Sequence, residues 1–302
     1  MASRDAHRVL IAGASGLIGT ELTRQLRADG HEVLRLVRRR PTADDEVIWS
    51  PSIRTMDVRV LGEVDAVVNL AGATVGRIPW TPGYRRTLRE SRTQPTLTLA
   101  EGMNQVVTPP AVFLSGSAVG FYGDRPGERL TEESDAGDGF FPELVTAWEE
   151  AAAVAPKKTR VVTLRSAVVV AHGGGLAPVR VLTGLGLGAR FATGGQYWPW
   201  ISLHDEAAIR HLLSSKLAGP VNLAGPIPAT SERITHAYAR RMHRPYVLRV
   251  PEGAVKLLGE AGERLLLDST KVDPIRLEAD GFEWRHRRVE QAIDAIFAGP
   301  VD

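Results

Sequence analysis

The 302 residues include no cysteine, which excludes disulfides, thiol catalysis and thiolate metal sites together. Long apolar runs are missing as well: the N-terminus lacks the apolar core of a signal peptide, and no segment reaches membrane-spanning length. Even the most apolar stretch, Val161 to Ala171, is interrupted by Arg165. There is no strong charge of either sign. The 37 basic and 35 acidic residues leave a net charge of +2, so neither nucleic acid nor a membrane surface is expected as a partner. Basic residues are scattered apart from one cluster, Arg38-Arg39-Arg40. With 43% apolar and 24% charged residues, the composition is that of an ordinary cytoplasmic globular protein with ample core.

What the chain does have is glycine in an informative place. Val9-Leu10-Ile11-Ala12-Gly13-Ala14-Ser15-Gly16-Leu17-Ile18-Gly19 is a short buried-strand pattern running directly into three spaced glycines. Gly13 suits a tight strand-to-helix turn, Gly16 lets a pyrophosphate approach the backbone, and Gly19 lets the next helix pack close. Ile18, Leu22 and Leu26 form a helical stripe that ends at Gly30. The start of that helix offers free N–H groups and the positive end of its dipole to phosphates. Ser15, Leu17 and Ile18 are therefore read with the glycines as cofactor-binding.

Strand-like runs recur at 9–12, 33–37, 64–70, 111–115, 161–170 and 221–223, with Val47-Ile48-Trp49 as a short additional strand. Helix-length segments separate them. This alternation predicts an α/β fold of Rossmann type, a doubly wound parallel sheet with helices on both faces. Residues 173–195 carry eight glycines and read as a flap over a pocket or as a crossing between lobes.

The second strand, Val33–Val37, ends in Arg38-Arg39-Arg40, and no carboxylate follows until Asp44. NAD-selective folds place an acidic residue there to hold the ribose hydroxyls. A guanidinium instead grips an adenosine 2′-phosphate, each charge-assisted bond contributing roughly 1.5–3 kcal/mol. NADP(H) is the expected cofactor, with Arg38 the first choice and Arg39 the second.

The spacing of the glycines resembles that of the extended short-chain dehydrogenase/reductase superfamily, the nucleotide-sugar epimerase and dehydratase group. Further matches point to an atypical epimerase-like subfamily with a C-terminal segment of unknown function. Asn69-Leu70-Ala71-Gly72 resembles that superfamily's Asn-x-Ala-Gly turn, which makes Leu70, Ala71 and Gly72 a cofactor wall; Asn69 is either part of it or a turn-stabilising residue. The resemblance implies an NADP-binding Rossmann domain over residues 1–170, with contributions from about 201–225. A smaller substrate lobe then covers 171–302 and includes the C-terminal segment 250–297. It also implies a small-molecule substrate and leaves room for a homodimer.

Ser115-Gly116-Ser117-Ala118-Val119-Gly120-Phe121-Tyr122-Gly123 is similar to the epimerase Ser-Ser-x-x-Val-Tyr-Gly segment, with one extra residue before Tyr122. The resemblance implies a cofactor contact at Ser115 and a bond from Ser117 to the reacting hydroxyl or carbonyl. The family moves the proton with a tyrosine whose pKa a lysine lowers. Bringing a phenol from about 10 to neutrality takes roughly 4 kcal/mol of selective stabilisation. This chain has no Tyr-x-x-x-Lys; the corresponding positions fall near Phe141 and Val145. Tyr122 is then the nearest phenol, either a proton donor or a packed aromatic plug. Arg165 is a buried cation or an anchor for a carbonyl or carboxylate. Glu149 and Glu150 read as helix-surface or capping-type residues.

Three further features complete the reading. Tyr197-Trp198-Pro199-Trp200 either stacks on a ligand or buries a lobe interface. Asp205 reads as a helix N-cap and His204 as structural, with no metal-ligand spacing to His211. Arg92 lies where sugar epimerases often have asparagine, reaching a ligand anion or making a surface salt bridge.

Overall fold

The computed structural model describes residues 6–298. In its first half, β1 (Arg8–Ala12), α1 (Leu17–Ala28), β2 (Glu32–Val37), β3 (Glu46–Ser50), β4 (Thr55–Met56) and β5 (Ala66–Asn69) follow one another. Next come α2 (Pro82–Met103), β6 (Val112–Ala118), β7 (Arg129–Leu130), α3 (Phe140–Ala152), β8 (Arg160–Ser166) and β9 (Val168–Val170). The second half continues with α4 (Ala177–Gly184), β10 (Gly188–Phe191), β11 (Trp200–Ser202), α5 (Leu203–Glu206), α6 (His211–Ser214) and β12 (Gly219–Leu223). Last are α7 (Ser231–Arg241), β13 (Tyr246–Val250), α8 (Glu252–Lys256), α9 (Gly259–Leu266), β14 (Lys271–Val272), α10 (Ile275–Ala279) and α11 (Val289–Phe297).

Eight strands form the main sheet in the order β12-β8-β6-β5-β1-β2-β3-β4. All its pairings are parallel except β3–β4, a hairpin that the sequence pattern does not announce. Alternate residues of a strand face opposite sides, so Val9 and Ile11 pack with Leu22 and Leu26 of α1. Leu10 and Ala12 turn the other way, toward Leu99, Ala100 and Met103 of α2. The strand order reverses between β5 and β1, and the crevice outside their carboxyl ends is where such sheets receive ligands. Register brings Ala12, Asn69 and Ser115 side by side at this edge. Two residues further along, Ser117 pairs with Arg165.

A third core joins Val170, Trp198, Trp200, Ile234, Tyr238, Val289 and Ile293. The tryptophans of the aromatic segment are buried in this core: Trp200 is 1% exposed and its Nε1 donates to the Ile227 carbonyl at 3.0 Å. The glycine-rich stretch is not a bare loop, since it contains α4 and β10, and β10 pairs with β13. The C-terminal segment returns across the molecule. β14 pairs with β7, Trp284 Nε1 donates to the Ala224 carbonyl at 3.0 Å, and Arg276 reaches the Pro220 carbonyl at 2.6 Å.

One expected cap is displaced. Ser202, not Asp205, caps α5, its Oγ accepting from the Asp205 N–H at 3.0 Å. The helix starts one turn earlier than the apolar pattern suggests. Asp205 is thereby freed to accept the N–H groups of Arg285 at 2.8 Å and His286 at 3.0 Å, tying the C-terminal segment to the sheet. Its neighbour Glu206 is wholly buried. One oxygen accepts from Ser166 Oγ at 2.5 Å, the other has no partner among the described residues, and burial pushes its pKa up to about 8. No helix of the described residues is long and apolar enough to cross a membrane.

Two stability predictions follow from this packing. A Cβ at Gly225 would lie 2.6 Å from the Trp200 ring, so Gly225→Ala should cost about 1–3 kcal/mol by overpacking, read as a lowered urea midpoint. Glu206 holds its proton in the native state to higher pH than in the unfolded chain. Its contribution is therefore intact below the unfolded carboxyl pKa and is lost as pH rises toward about 8. Urea unfolding should show that loss in the wild type and a flatter profile in Glu206→Gln.

Candidate functional site

The glycine turn is built by exclusion of side chains. Gly13 has a φ of +83°, and a Cβ there would stand 2.8 Å from the Leu70 carbonyl. A Cβ on Gly19 would stand 2.3 Å from the Gly13 oxygen. Strand end, helix start and the turn after β5 thus touch through backbone. Helix α1 begins after Gly16 with no side-chain cap, which leaves first-turn N–H groups to an incoming ligand. Ser15, Gly16 and Leu17 are exposed and Ile18 half-buried. Ser15, Gly16 and Leu17 line a depression of about 270 Å³ with Thr20, Glu21 and Leu203.

Asn69 is fully buried and works as a turn residue: Nδ2 donates to Thr96 Oγ1 at 2.8 Å, and Oδ1 accepts from the Ala71 N–H at 3.2 Å. Leu70 and Ala71 are half-buried and Gly72 is exposed, forming a low wall beside the glycine turn. Ser115 lies beneath it, buried, in register with Asn69.

The arginines of β2 and the turn after it divide their work. Arg39 clamps Glu46 at 2.6 and 2.8 Å, so this second-choice phosphate ligand serves the fold. Those bonds, with the Thr42 N–H, hold the Glu46 carboxyl down at about 2. Arg35 takes Asp45 through two bonds, at 2.7 and 2.8 Å. Arg38 is exposed and pairs with no acid among the described residues. Asp45 and Glu46 are thus both paired, which leaves Arg38 open to a dianionic phosphate.

At the carboxyl ends of β6 and β8 lies a buried polar chain. Ser117, 4% exposed, donates to Glu149 Oε1 at 2.6 Å. Arg165, 3% exposed, donates Nε and an Nη to the two oxygens of Glu149 at 2.8 and 2.9 Å. Its other Nη donates to the Tyr122 hydroxyl at 3.1 Å, which in turn donates to Asn222 Oδ1 at 2.7 Å. The guanidinium also lies 3.5 Å over the Phe121 ring. Tyr122 has no exposed surface, and burial raises its phenol pKa despite the adjacent Arg165. Phe141 packs edge-on to Trp80 at 4.8 Å, and Val145 is buried.

Sequence reading overlooks Glu149, which lies on the buried side of α3 beside Trp148 while Glu150 faces solvent. The available signal was Arg165 itself, since a cation in an apolar strand needs a carboxylate. Arg92 makes no salt bridge among the described residues. It donates to the carbonyls of Leu88 and Ala73, both at 3.0 Å. His204 packs edge-on to His286, and burial lowers its pKa. Among the described residues no group of three or more His, Asp or Glu side chains is placed to hold a metal.

Residues 9–147 match the model of the NAD dependent epimerase/dehydratase family, and residues 250–296 match a domain of unknown function (DUF1731). An epimerase family protein of Mycobacterium tuberculosis is 40% identical over 290 residues, 94% of this chain and 96% of that protein. Human epimerase family protein SDR39U1 is 33% identical, covering 96% of this chain and 100% of its own length. A crystal structure of the human protein (isoform2) with NADPH matches with a TM-score of 0.89 at 30% identity, over 97% of this chain and 100% of that one. UDP-glucose 4-epimerase of Thermus thermophilus, in complex with NAD, shares the fold at a TM-score of 0.76 and 20% identity, over 97% of this chain and 100% of that one. With such identity sustained along nearly its whole length, the chain belongs to the NAD dependent epimerase/dehydratase family.

Proposed function

We propose that this protein binds NADP(H) and acts as an oxidoreductase or epimerase-like enzyme on the hydroxyl or carbonyl group of a small polar or nucleotide-linked compound. The NADPH in the human relative's crystal structure supports the cofactor. So do the uncapped helix start and the uncommitted Arg38. Gly13, Ser15, Gly16, Leu17, Ile18 and Gly19 would cradle the pyrophosphate, Leu70, Ala71 and Gly72 would wall the adenosine and ribose, and Arg38 would take the 2′-phosphate. When bound, the nicotinamide supplies or takes up the hydride.

The observation that carries the enzymatic reading is the Ser117–Glu149–Arg165 chain. A buried ion pair is weak evidence for stability, because apolar residues of equal volume often do as well. This one sits at the ligand-receiving edge of the sheet, and it decides how Ser117 is used. The hydroxyl has one proton, and Glu149 takes it, so the lone pairs of Ser117 are left to accept from a substrate hydroxyl. Ser117 orients that hydroxyl, and Glu149 is a positioning residue acting through it. Tyr122 is a buried post that fixes Arg165, and the proton exchanges with water or substrate.

A second reading, an NADP(H)-binding sensor or regulator without turnover, has its own support. Tyr122 is sequestered, and the positions of the usual Tyr and Lys are apolar. The two readings part on turnover.

NADPH should bind at least about tenfold more tightly than NADH, and Arg38→Ala should erase the difference in a calorimetric titration; equal wild-type affinities would sink the assignment. In a panel of hydroxy compounds and nucleotide sugars followed by NADPH absorbance, Ser117→Ala should lower kcat/KM about tenfold. Tyr122→Phe should instead cost stability, about 1–3 kcal/mol. A kcat/KM loss equal to that of Ser117→Ala would return Tyr122 to proton transfer, and silence across the panel would favour the sensor.

A further inference from the structure

Helix α2 carries several arginines that the fold treats differently. Arg85 pairs with Glu260 and Arg89 lies 3.9 Å from Glu143. Arg92 turns inward. Two of its N–H groups go to the carbonyls of Leu88 and Ala73, its charge stands 5.2 Å over the Trp148 ring, and no acid pairs with it among the described residues. Burial lowers its pKa to about 10, so it stays charged at neutral pH. A desolvated cation without a counter-ion is costly. A guanidinium has five donors in a fork that matches a carboxylate or phosphate, and the two carbonyls occupy only part of it.

Its position gives that charge a use. A Cβ on exposed Gly72 would lie 3.4 Å from Arg92 Cζ and 3.6 Å from an Nη, so the guanidinium lies against the wall after β5. The Trp148 ring beneath it packs on Gly116, where a Cβ would approach within 2.6 Å. Gly116 adjoins Ser117, and Trp148 adjoins Glu149. Arg92 therefore borders the wall on one side and the Ser117–Glu149 chain on the other.

We propose that Arg92 is the receptor for an anionic group, a carboxylate or phosphate, of a ligand lying between the Ala71–Gly72 wall and Ser117. This rests on the reading that NADP(H) runs along that wall. The anion has two sources, the cofactor's own pyrophosphate and an acidic substrate. The start of α1 already serves the pyrophosphate, which favours the substrate, and so an acidic compound such as a hydroxy or keto acid or a sugar phosphate.

The test uses the full chain, wild type, Arg92→Gln and Arg92→Lys. NADPH affinity is read by fluorescence, and the NADP⁺-saturated protein is titrated calorimetrically with malonate and with inorganic phosphate. At least one anion should bind the wild type, with affinity falling about tenfold or more in Arg92→Gln, while NADPH affinity changes little. Arg92→Lys, which keeps the charge without the fork, should fall between them and carries the comparison if the glutamine variant unfolds. Weakened NADPH binding with unchanged anion binding would assign the same receptor to the cofactor's pyrophosphate. Wild-type binding of NADPH, with neither NADPH nor either anion sensitive to Arg92, would overturn the proposal. A wild type that binds no NADPH fails the functional reading instead.

Discussion

Backbone meets backbone at the switch point of the sheet, and the site is built outward from that contact. Gly13 leaves 2.8 Å between a would-be Cβ and the Leu70 carbonyl, and Gly19 leaves 2.3 Å to the Gly13 oxygen. No side chain fits at either place. The absence of side chains draws the start of α1 against β1 and brings the turn after β5 alongside. An uncapped helix terminus, a low wall and the carboxyl end of β6 then share one edge. The remaining features of the site are side chains placed around this frame.

Electrostatics sorts those side chains. Several of the surrounding cations are spent: Arg35 on Asp45, Arg39 on Glu46, Arg165 on Glu149. Arg38 and Arg92 pair with no acid among the described residues. One is exposed after β2 and the other is half-buried against Gly72. Both lie close to the glycine turn and its wall, where a guanidinium without an acid partner is free to take a ligand's charge. The buried chain from Ser117 to Asn222 adds a fixed polarity at the reacting end, with its protons directed away from the crevice.

Legibility in the sequence followed the range of the contacts. The glycine turn, the main parallel strands and α3 are local patterns, and apolar spacing with glycine placement was enough to read them. The place of Arg38 just past β2 was legible because the apolar strand pattern ends at Val37. What escaped depends on segments far apart in the chain. Tyr122 is sequestered by Asn222, a hundred residues later. Trp198 and Trp200 are buried against α7 and α11, and no local pattern separates that from stacking on a ligand. Glu149 follows the buried Trp148 by one residue, where helical periodicity leaves a side chain at the boundary. Only its pairing with Arg165 decides its side. Asp205 looked like a cap because the turn that recruits it, Arg285 to His286, comes from the C-terminal segment.

The central claim is that a cofactor lies along this edge with its reactive end at Ser117. The most direct measurement is a crystal structure of the protein soaked with NADP⁺. The account predicts a 2′-phosphate at Arg38, a pyrophosphate over the start of α1, and nicotinamide C4 facing the crevice beside Ser117, leaving a reacting carbon about 3–3.5 Å away. A nicotinamide turned out of that crevice, or a 2′-phosphate held elsewhere than at Arg38, would contradict it.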